Sequence, residues 1–297
     1  MKFLTNFLII LILSAVLPVA AFSDTIYLND GSIIKGLVVE EHCDRIVFST
    51  ADGEKVILNK DIDEIFFDDL AQNYYYIANK FLDDKDFERA EKFYKKSLEL
   101  NPDYKIAEGA LLYLGDVRLK EAKRWDCKDS LGDLKKELGI TIVKNGDLCA
   151  IDEAAQKGSK LRVGDAIVCF WNRSARFMEP GDVASRIAGV PNTPVRLTIQ
   201  RKINFKPLKV PWYFKVLGLK KRYTLPLEMK YHGLTIGKLT NFFLESKSDF
   251  KVGDRIVAID GKPTRYMPLS EANALINKKK SGEVELTINR DLEVVRY

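Results

Sequence analysis

"LRVGDAIVCFWN" at 161–172 and "FKVGDRIVAIDG" at 250–261 say nearly the same thing twice, 89 residues apart. Val163, Gly164, Asp165, Ile167 and Val168 recur as Val252, Gly253, Asp254, Ile256 and Val257. An internal repeat constrains a fold more than any single motif, because each copy must build the same unit. The flanking patterns repeat too. In the first copy "ELGITIV" and "LCAIDEAAQKGS" read as strands, the second ending in a helical turn. After the shared phrase come a helix, "DVASRIAG", stopped by Gly189, and a strand, "VRLTIQR". The second copy runs "YHGLTIGKLT", the phrase, "SEANALINKKKSG" and "VELTINR". Its Gly233, Leu234, Thr235 and Ile236 match Gly139, Ile140, Thr141 and Ile142. Gly164 and Gly253 suit a tight turn, and Asp165 and Asp254 suit hydrogen bonds to nearby backbone amides. Those aspartates read as structural, not catalytic.

The rest of the 297 residues divides into smaller pieces. Residues 1–22 carry Lys2, an apolar run from Phe7 to Val19, Pro18, and small residues around Ala21. That pattern reads as a secretory signal peptide cleaved near Ala21, with a retained anchor as the alternative. The apolar run falls short of the roughly 20 residues that span a bilayer. Export permits disulfides. The spacings of Cys43, Cys127, Cys149 and Cys169 match no metal motif. Cys149 and Cys169 lie in strand-like apolar runs, so either free buried thiols or a 149–169 bridge fits.

Residues 23–67 are a succession of three or four short β-branched or aromatic runs. Turn signals at Asn29-Asp30-Gly31 and Asp52-Gly53 separate them. So few strands bury a face only by curling, and the stretch resembles small SH3-like or Sm-like barrels. His42 falls in a hairpin there and reads as surface. Residues 68–125 change to helical period. Tyr74, Ile77, Ala78, Phe81, Ala90, Tyr94, Ser97 and Pro102 fall at the signature places of a 34-residue frame starting at Ala71. The segment is similar to a tetratricopeptide repeat, with a further helix from about Lys105 to Arg124 as its cap.

The doubled unit resembles the PDZ domain, with copies at 126–203 and 222–297. The expected fold class is therefore multidomain α+β: a small all-β barrel, a tetratricopeptide-like helical hairpin and two PDZ-like β-sandwich or barrel domains. In that family a Gly-containing loop before one strand turns its backbone N–H groups toward a peptide's terminal carboxylate. The peptide then adds as a strand to the sheet edge. The resemblance puts these loops at Glu137-Leu138-Gly139-Ile140 and Tyr231-His232-Gly233-Leu234, each lacking the family's first Gly. It implies that Ile140, Ile142, Ala184 and Ile187 line one pocket, with Leu138, Gly139 and Thr141 beside it. Leu234, Ile236, Asn273 and Ile276 line the other, with His232, Gly233 and Thr235. Apolar terminal residues are the expected ligands. Glu137 beside the first carboxylate site opposes an anion, and Asn273 puts a polar group in the second wall.

Charge divides the chain. From Asp24 to Trp125 there are 22 acids and 15 bases; from Asp126 onward there are 20 acids and 31 bases. The segment 204–221 between the copies mixes lysines with Phe205, Trp212, Tyr213 and Phe214. Packing between domains accounts for such a linker, and residues 202–222 also suit an anionic membrane surface. A nucleic-acid partner is not expected of an exported chain. Two histidines, no His-Glu-x-x-His and no Gly-x-Ser-x-Gly argue against a hydrolase. No metal or cofactor is expected. The sequence thus reads as an exported, non-catalytic adaptor in a bacterial periplasm or envelope, binding C-terminal or extended peptides. The alternatives are a structural subunit with degenerate PDZ copies, or a regulatory partner of an envelope protease.

Overall fold

The computed structural model describes residues 23–123, 129–154, 160–206, 225–230, 233–238, 249–278 and 283–297. The leader, Cys127, His232 and nearly all of the linker lie outside them. Within the described residues the protein is mixed α+β, with six helices and two antiparallel sheets.

The first sheet has five strands where three or four were expected: β1 (Asp24–Leu28), β2 (Ile33–Glu41), β3 (Arg45–Thr50), β4 (Gly53–Leu58) and β5 (Ile62–Phe66). Their order is β4-β3-β2-β1-β5. The fifth was hidden because its alternating "IDEIF" follows a single helical turn at Asn59–Asp61, without a Gly or Pro break. A register shift between Val38 and Glu40 bends the long β2, and Ile26, Ile46, Phe48, Ile57, Ile65 and Phe67 fill the inside. Gly36 is required at the bend: a Cβ there would meet the Ser49 carbonyl oxygen at 2.1 Å.

Helices α1 (Leu70–Asp83), α2 (Phe87–Leu100) and α3 (Lys105–Ala122) follow. Asp69 caps α1 through the Ala71 amide, and Asp86 caps α2 through the Arg89 amide. Ala78 and Ala90 are fully buried where the first two helices meet. The buried Ser97 hydroxyl is satisfied by donating to the Ala71 carbonyl at 2.6 Å. A Cβ at Gly109 on α3 would overlap the Trp171 carbonyl, so this helix docks on the first repeat by close backbone approach.

The two repeats share one ten-stranded sheet. The first supplies α4 (Ser130–Leu138), β6 (Ile140–Asn145), β7 (Leu148–Ala154), β8 (Ala166–Phe170), β9 (Arg173–Ser174), α5 (Pro180–Ile187) and β10 (Pro194–Phe205). The second supplies β11 (Leu227–Lys230), β12 (Gly233–Ile236), β13 (Arg255–Ile259), β14 (Lys262–Pro263), α6 (Leu269–Lys278) and β15 (Val284–Val295). Strand order is β11-β12-β13-β15-β10-β8-β7-β6, with β14 paired to β13 and β9 to β8 off that path. Strands β10 and β15 pair antiparallel along twelve residues, from Pro194 with Val295 to Phe205 with Val284. Gln200 pairs with Asn289, its own counterpart 89 residues on, so a local twofold relates the repeats at that pair. Each repeat keeps a separate core, one around Phe170 and Ile187, the other around Ile256 and Ile276.

The repeated aspartates are buried. Asp165 accepts from the Arg162 amide at 2.8 Å, and Asp254 from the Lys251 amide at 2.7 Å. Each also receives a two-pronged Arg: Arg201 on Asp165 and Arg290 on Asp254, at 2.6–2.7 Å. The arginines close "VRLTIQR" and "VELTINR", and their matched position was a signal the sequence reading left unused.

Candidate functional site

The outer strands of the large sheet, β6 and β11, are its two edges, and each runs beside a helix. The space between edge strand and helix is where an added strand would lie. The residues chosen from the sequence behave differently in the two repeats.

In the first repeat Ile140, Ile142, Ala184 and Ile187 do meet, but as closed core, each at most 5% exposed. Helix α4 packs against both α5 and β6 and sends Leu134 and Leu138 into the same cluster. Leu138 is therefore the end of a helix, not part of a loop. Gly139 caps that helix in the left-handed region (φ 64°), and its N–H is used on the Lys135 carbonyl. The Glu137 carbonyl accepts the Tyr297 N–H, and its buried side chain accepts the Gly189 N–H. Burial pushes the Glu137 carboxyl above its usual range. A helix C-terminus carries partial negative charge, so this end repels a carboxylate. The expected anion-binding loop is not formed here. Thr141 lies on the edge strand, with its buried hydroxyl unpartnered among the described residues.

In the second repeat the strand match drawn from sequence is off by one strand. Ile151 donates to the Asp165 carbonyl and accepts from Gly164; Ile236 donates to the Asp254 carbonyl and accepts from Gly253. Ile236 is thus the counterpart of Ile151, not of Ile142. Gly233, Leu234, Thr235 and Ile236 form the inner strand of the hairpin, and Leu234 and Ile236 are core. The true counterpart of Ile142, which faces Ile151, is Leu227, which faces Ile236. A segment four residues longer in the second copy (18 positions from Ile236 to Asp254, 14 from Ile151 to Asp165) shifts the spacing. Gly-x-Thr-Ile occurring on different strands of the two hairpins made the wrong match attractive. The helix match holds: α6 touches β11, with Ile276 buried and Asn273 half-buried. Asn273 donates to its own helix at the Leu269 carbonyl, so its amide is occupied.

The groove of the second repeat is thus walled by β11 and α6. Leu227 and Leu269 pack partly exposed on the core, and Met229 is about half exposed. The chain entering β11, where the carboxylate loop belongs by this register, lies before Leu225 and outside the described residues.

A second polar cluster joins the five-stranded sheet to the large sheet, and His42, expected at the surface, lies inside it. The ring is buried, edge-on to Phe177 with centroids 5.2 Å apart. Its Nε2–H donates to Glu40 (2.9 Å), which leaves Nδ1 to accept the Ser174 hydroxyl (2.8 Å). The Arg176 amide also donates to Ser174 Oγ. Glu40 further receives Arg265 at 2.7 Å and has Arg176 at 3.7 Å. The bond from His42, more than either arginine, holds the Glu40 carboxyl below its usual range. This joint borders a cleft of about 1700 Å³ between the two sheets and the helices, which Tyr75, Tyr113, Arg173 and Arg255 also line.

Cys43, Cys149 and Cys169 are free thiols, so the 149–169 bridge is not formed. Burial raises the Cys169 thiol to about 11, far from a reactive thiolate. No group of metal-binding side chains occurs among the described residues.

Residues 232–289 match the family model of the PDZ domain. That stretch is a PDZ domain. It begins after β11 and ends within β15, so it contains α6 and Asp254 but stops one residue short of Arg290 and leaves β11 out. Similar solved structures include INAD PDZ45 in complex with NG2 peptide, at 20% identity and TM-score 0.22, covering 52% of this chain and 84% of that one. INAD PDZ45 with NORPA CC-PBM is similar at 18% identity and TM-score 0.23, covering 55% and 90%. No curated protein matches the chain.

Proposed function

We propose that the chain is a non-catalytic adaptor whose PDZ domain captures extended or C-terminal peptides by adding them as a strand to β11, under α6. The observation that carries this is the groove between an edge strand and a helix, with Leu227, Met229 and Leu269 partly exposed along it. Backbone hydrogen bonds to the edge supply affinity, and side-chain contacts with the groove supply selectivity.

The first repeat, 126–203, serves in this reading as a second PDZ-like unit used as frame, since its own helix α4 fills the matching place. The five-stranded sheet is an SH3-like or Sm-like barrel, and α1–α3 are a tetratricopeptide-like hairpin with its cap. The leader at 1–22 directs export to a periplasm or envelope. An anionic membrane surface is the proposed partner of the basic residues within 202–222, of which Ile203 and Phe205 are taken up in the core, and no nucleic-acid partner is proposed. The closed first groove also favours a second reading, in which both copies are structural parts of a larger complex.

Binding of a C-terminal peptide library to the whole chain separates the two. Each hit is retested with an amidated terminus and against Met229→Glu and Asn273→Lys. The adaptor reading expects both variants to weaken binding about tenfold or more, a change of about 1.4 kcal/mol. Loss on amidation assigns carboxylate capture, and indifference to it assigns plain strand addition. Hits unmoved by both variants, or no hits, sink the groove.

A further inference from the structure

The repeat makes two matched contacts between the barrel and the groove helices. Arg176, Phe177 and Met178 recur as Arg265, Tyr266 and Met267, again 89 residues on. Each triplet leads directly into a helix, α5 from Pro180 and α6 from Leu269. Both methionines are buried, so each triplet is tied to the core beneath its helix.

The barrel grips the two triplets unequally. On the first, Phe177 lies under the Arg45 guanidinium at 3.8 Å and against the His42 ring, while Cys43 donates to the Arg176 carbonyl at 3.3 Å. On the second there are two polar contacts: Arg265 to Glu40 at 2.7 Å, and the Tyr266 hydroxyl to Glu54 at 2.8 Å. Tyr266 is 77% exposed, and exposed pairs of this kind are weak. The α5 side is a packed joint. The α6 side is one that modest forces can open.

We propose that Glu40 and Glu54 are positioning residues of the peptide groove, holding Arg265 and Tyr266 and thereby setting how closely α6 stands to β11. This rests on reading the α6–β11 groove as the peptide site. A peptide that needs α6 farther from β11 must work against the barrel contacts. By reciprocity, a peptide that opens the groove loosens the barrel.

The test uses the full chain and two variants, Glu54→Ala and Arg265→Met. Among the described residues Glu54 touches the α6 approach through the Tyr266 hydroxyl, and Arg265→Met leaves the His42–Glu40 bond in place. Amide hydrogen exchange over 269–278 is measured without peptide, with the core strand β10 as internal standard. Exchange in α6 about threefold to fivefold faster in each variant, with β10 unchanged, is the expected result for loss of a weak exposed contact. Unchanged exchange in α6 overturns the proposal. Affinity for the best library peptide is then compared. A shift of about threefold or more in either direction supports the proposal, and equal affinity with wild-type binding intact overturns its link to the groove. A wild-type chain that binds no peptide overturns the groove reading itself and leaves the exchange result to decide the positioning role.

Discussion

Glu40 Oε1 lies 2.7 Å from Arg265 Nη1 and its Oε2 lies 3.7 Å from Arg176 Nη1, so one carboxylate is shared by two guanidinium groups that the repeat makes equivalent. The five-stranded sheet is thereby held to both copies through matched arginines 89 residues apart. His42 completes the cluster and ties it to the first repeat through Ser174.

Acid should loosen that seat. The folded Glu40 carboxyl lies below its usual value of 4.5, chiefly through the bond from His42 and then the charges of Arg265 and Arg176. A carboxyl lowered on folding contributes stability that is present above the unfolded value and is lost as pH falls through the folded one. Docking of the five-stranded sheet should therefore hold at neutral pH and weaken below about 4.5. Exchange protection at the Arg265–Tyr266 segment, followed from pH 7 to about 3.5, checks this. Constant protection across that range would contradict it.

The buried pairs Asp165–Arg201 and Asp254–Arg290 are costly contacts to break. Removing one partner leaves a charge stranded in the core, at a cost of about 3–5 kcal/mol. Asp254→Ala should lower the unfolding free energy from urea titration by that much, with a matching fall in the midpoint. Changing both partners to apolar residues of similar size should cost far less. Equal losses for the single and double changes would show that the two-pronged geometry, not the stranded charge, governs stability here.

Gly139 offers a direct check on the corrected first groove. It holds the left-handed C-cap of α4, and its N–H is used on the Lys135 carbonyl. Gly139→Ala should cost about 1 kcal/mol in thermal or urea unfolding, the usual loss at such a cap. Peptide affinity should not change, since capture is placed at β11. A selective loss of affinity with stability intact would restore the carboxylate loop to this position.

What was legible in the sequence was what sits at a fixed spacing. The 89-residue offset fixed Gly164 against Gly253, Asp165 against Asp254, and Ala184 and Ile187 against Asn273 and Ile276. Periodicity and small residues likewise marked the hairpin of α1 and α2 at Ala78 and Ala90. The edge strand was lost where a four-residue difference between Ile151–Asp165 and Ile236–Asp254 broke the offset, and an accidental Gly-x-Thr-Ile match took its place. Three-dimensional facts were out of reach for a different reason. That α4 fills the first groove, and that His42 is buried against Phe177, depend on contacts between segments more than 40 and 130 residues apart, which no local pattern encodes.

Ser174, His42 and Glu40 form a hydroxyl–imidazole–carboxylate relay, the arrangement that activates serine nucleophiles. Here the relay reads as a joint. Its carboxylate is spread over two arginines from other segments, the imidazole is wedged on Phe177, and the serine oxygen also accepts the Arg176 amide. Ser174→Ala should therefore act on stability, by about 1 kcal/mol for a lost hydrogen bond with His42 left short of a partner. His42→Ala, which also removes a ring packed between domains, should cost more, about 2–4 kcal/mol. A fluorophosphonate probe decides between joint and nucleophile. Wild type and Ser174→Ala should label equally weakly. Stoichiometric labelling of the wild type that vanishes in Ser174→Ala would make this relay a catalytic site and end the non-catalytic reading of the chain.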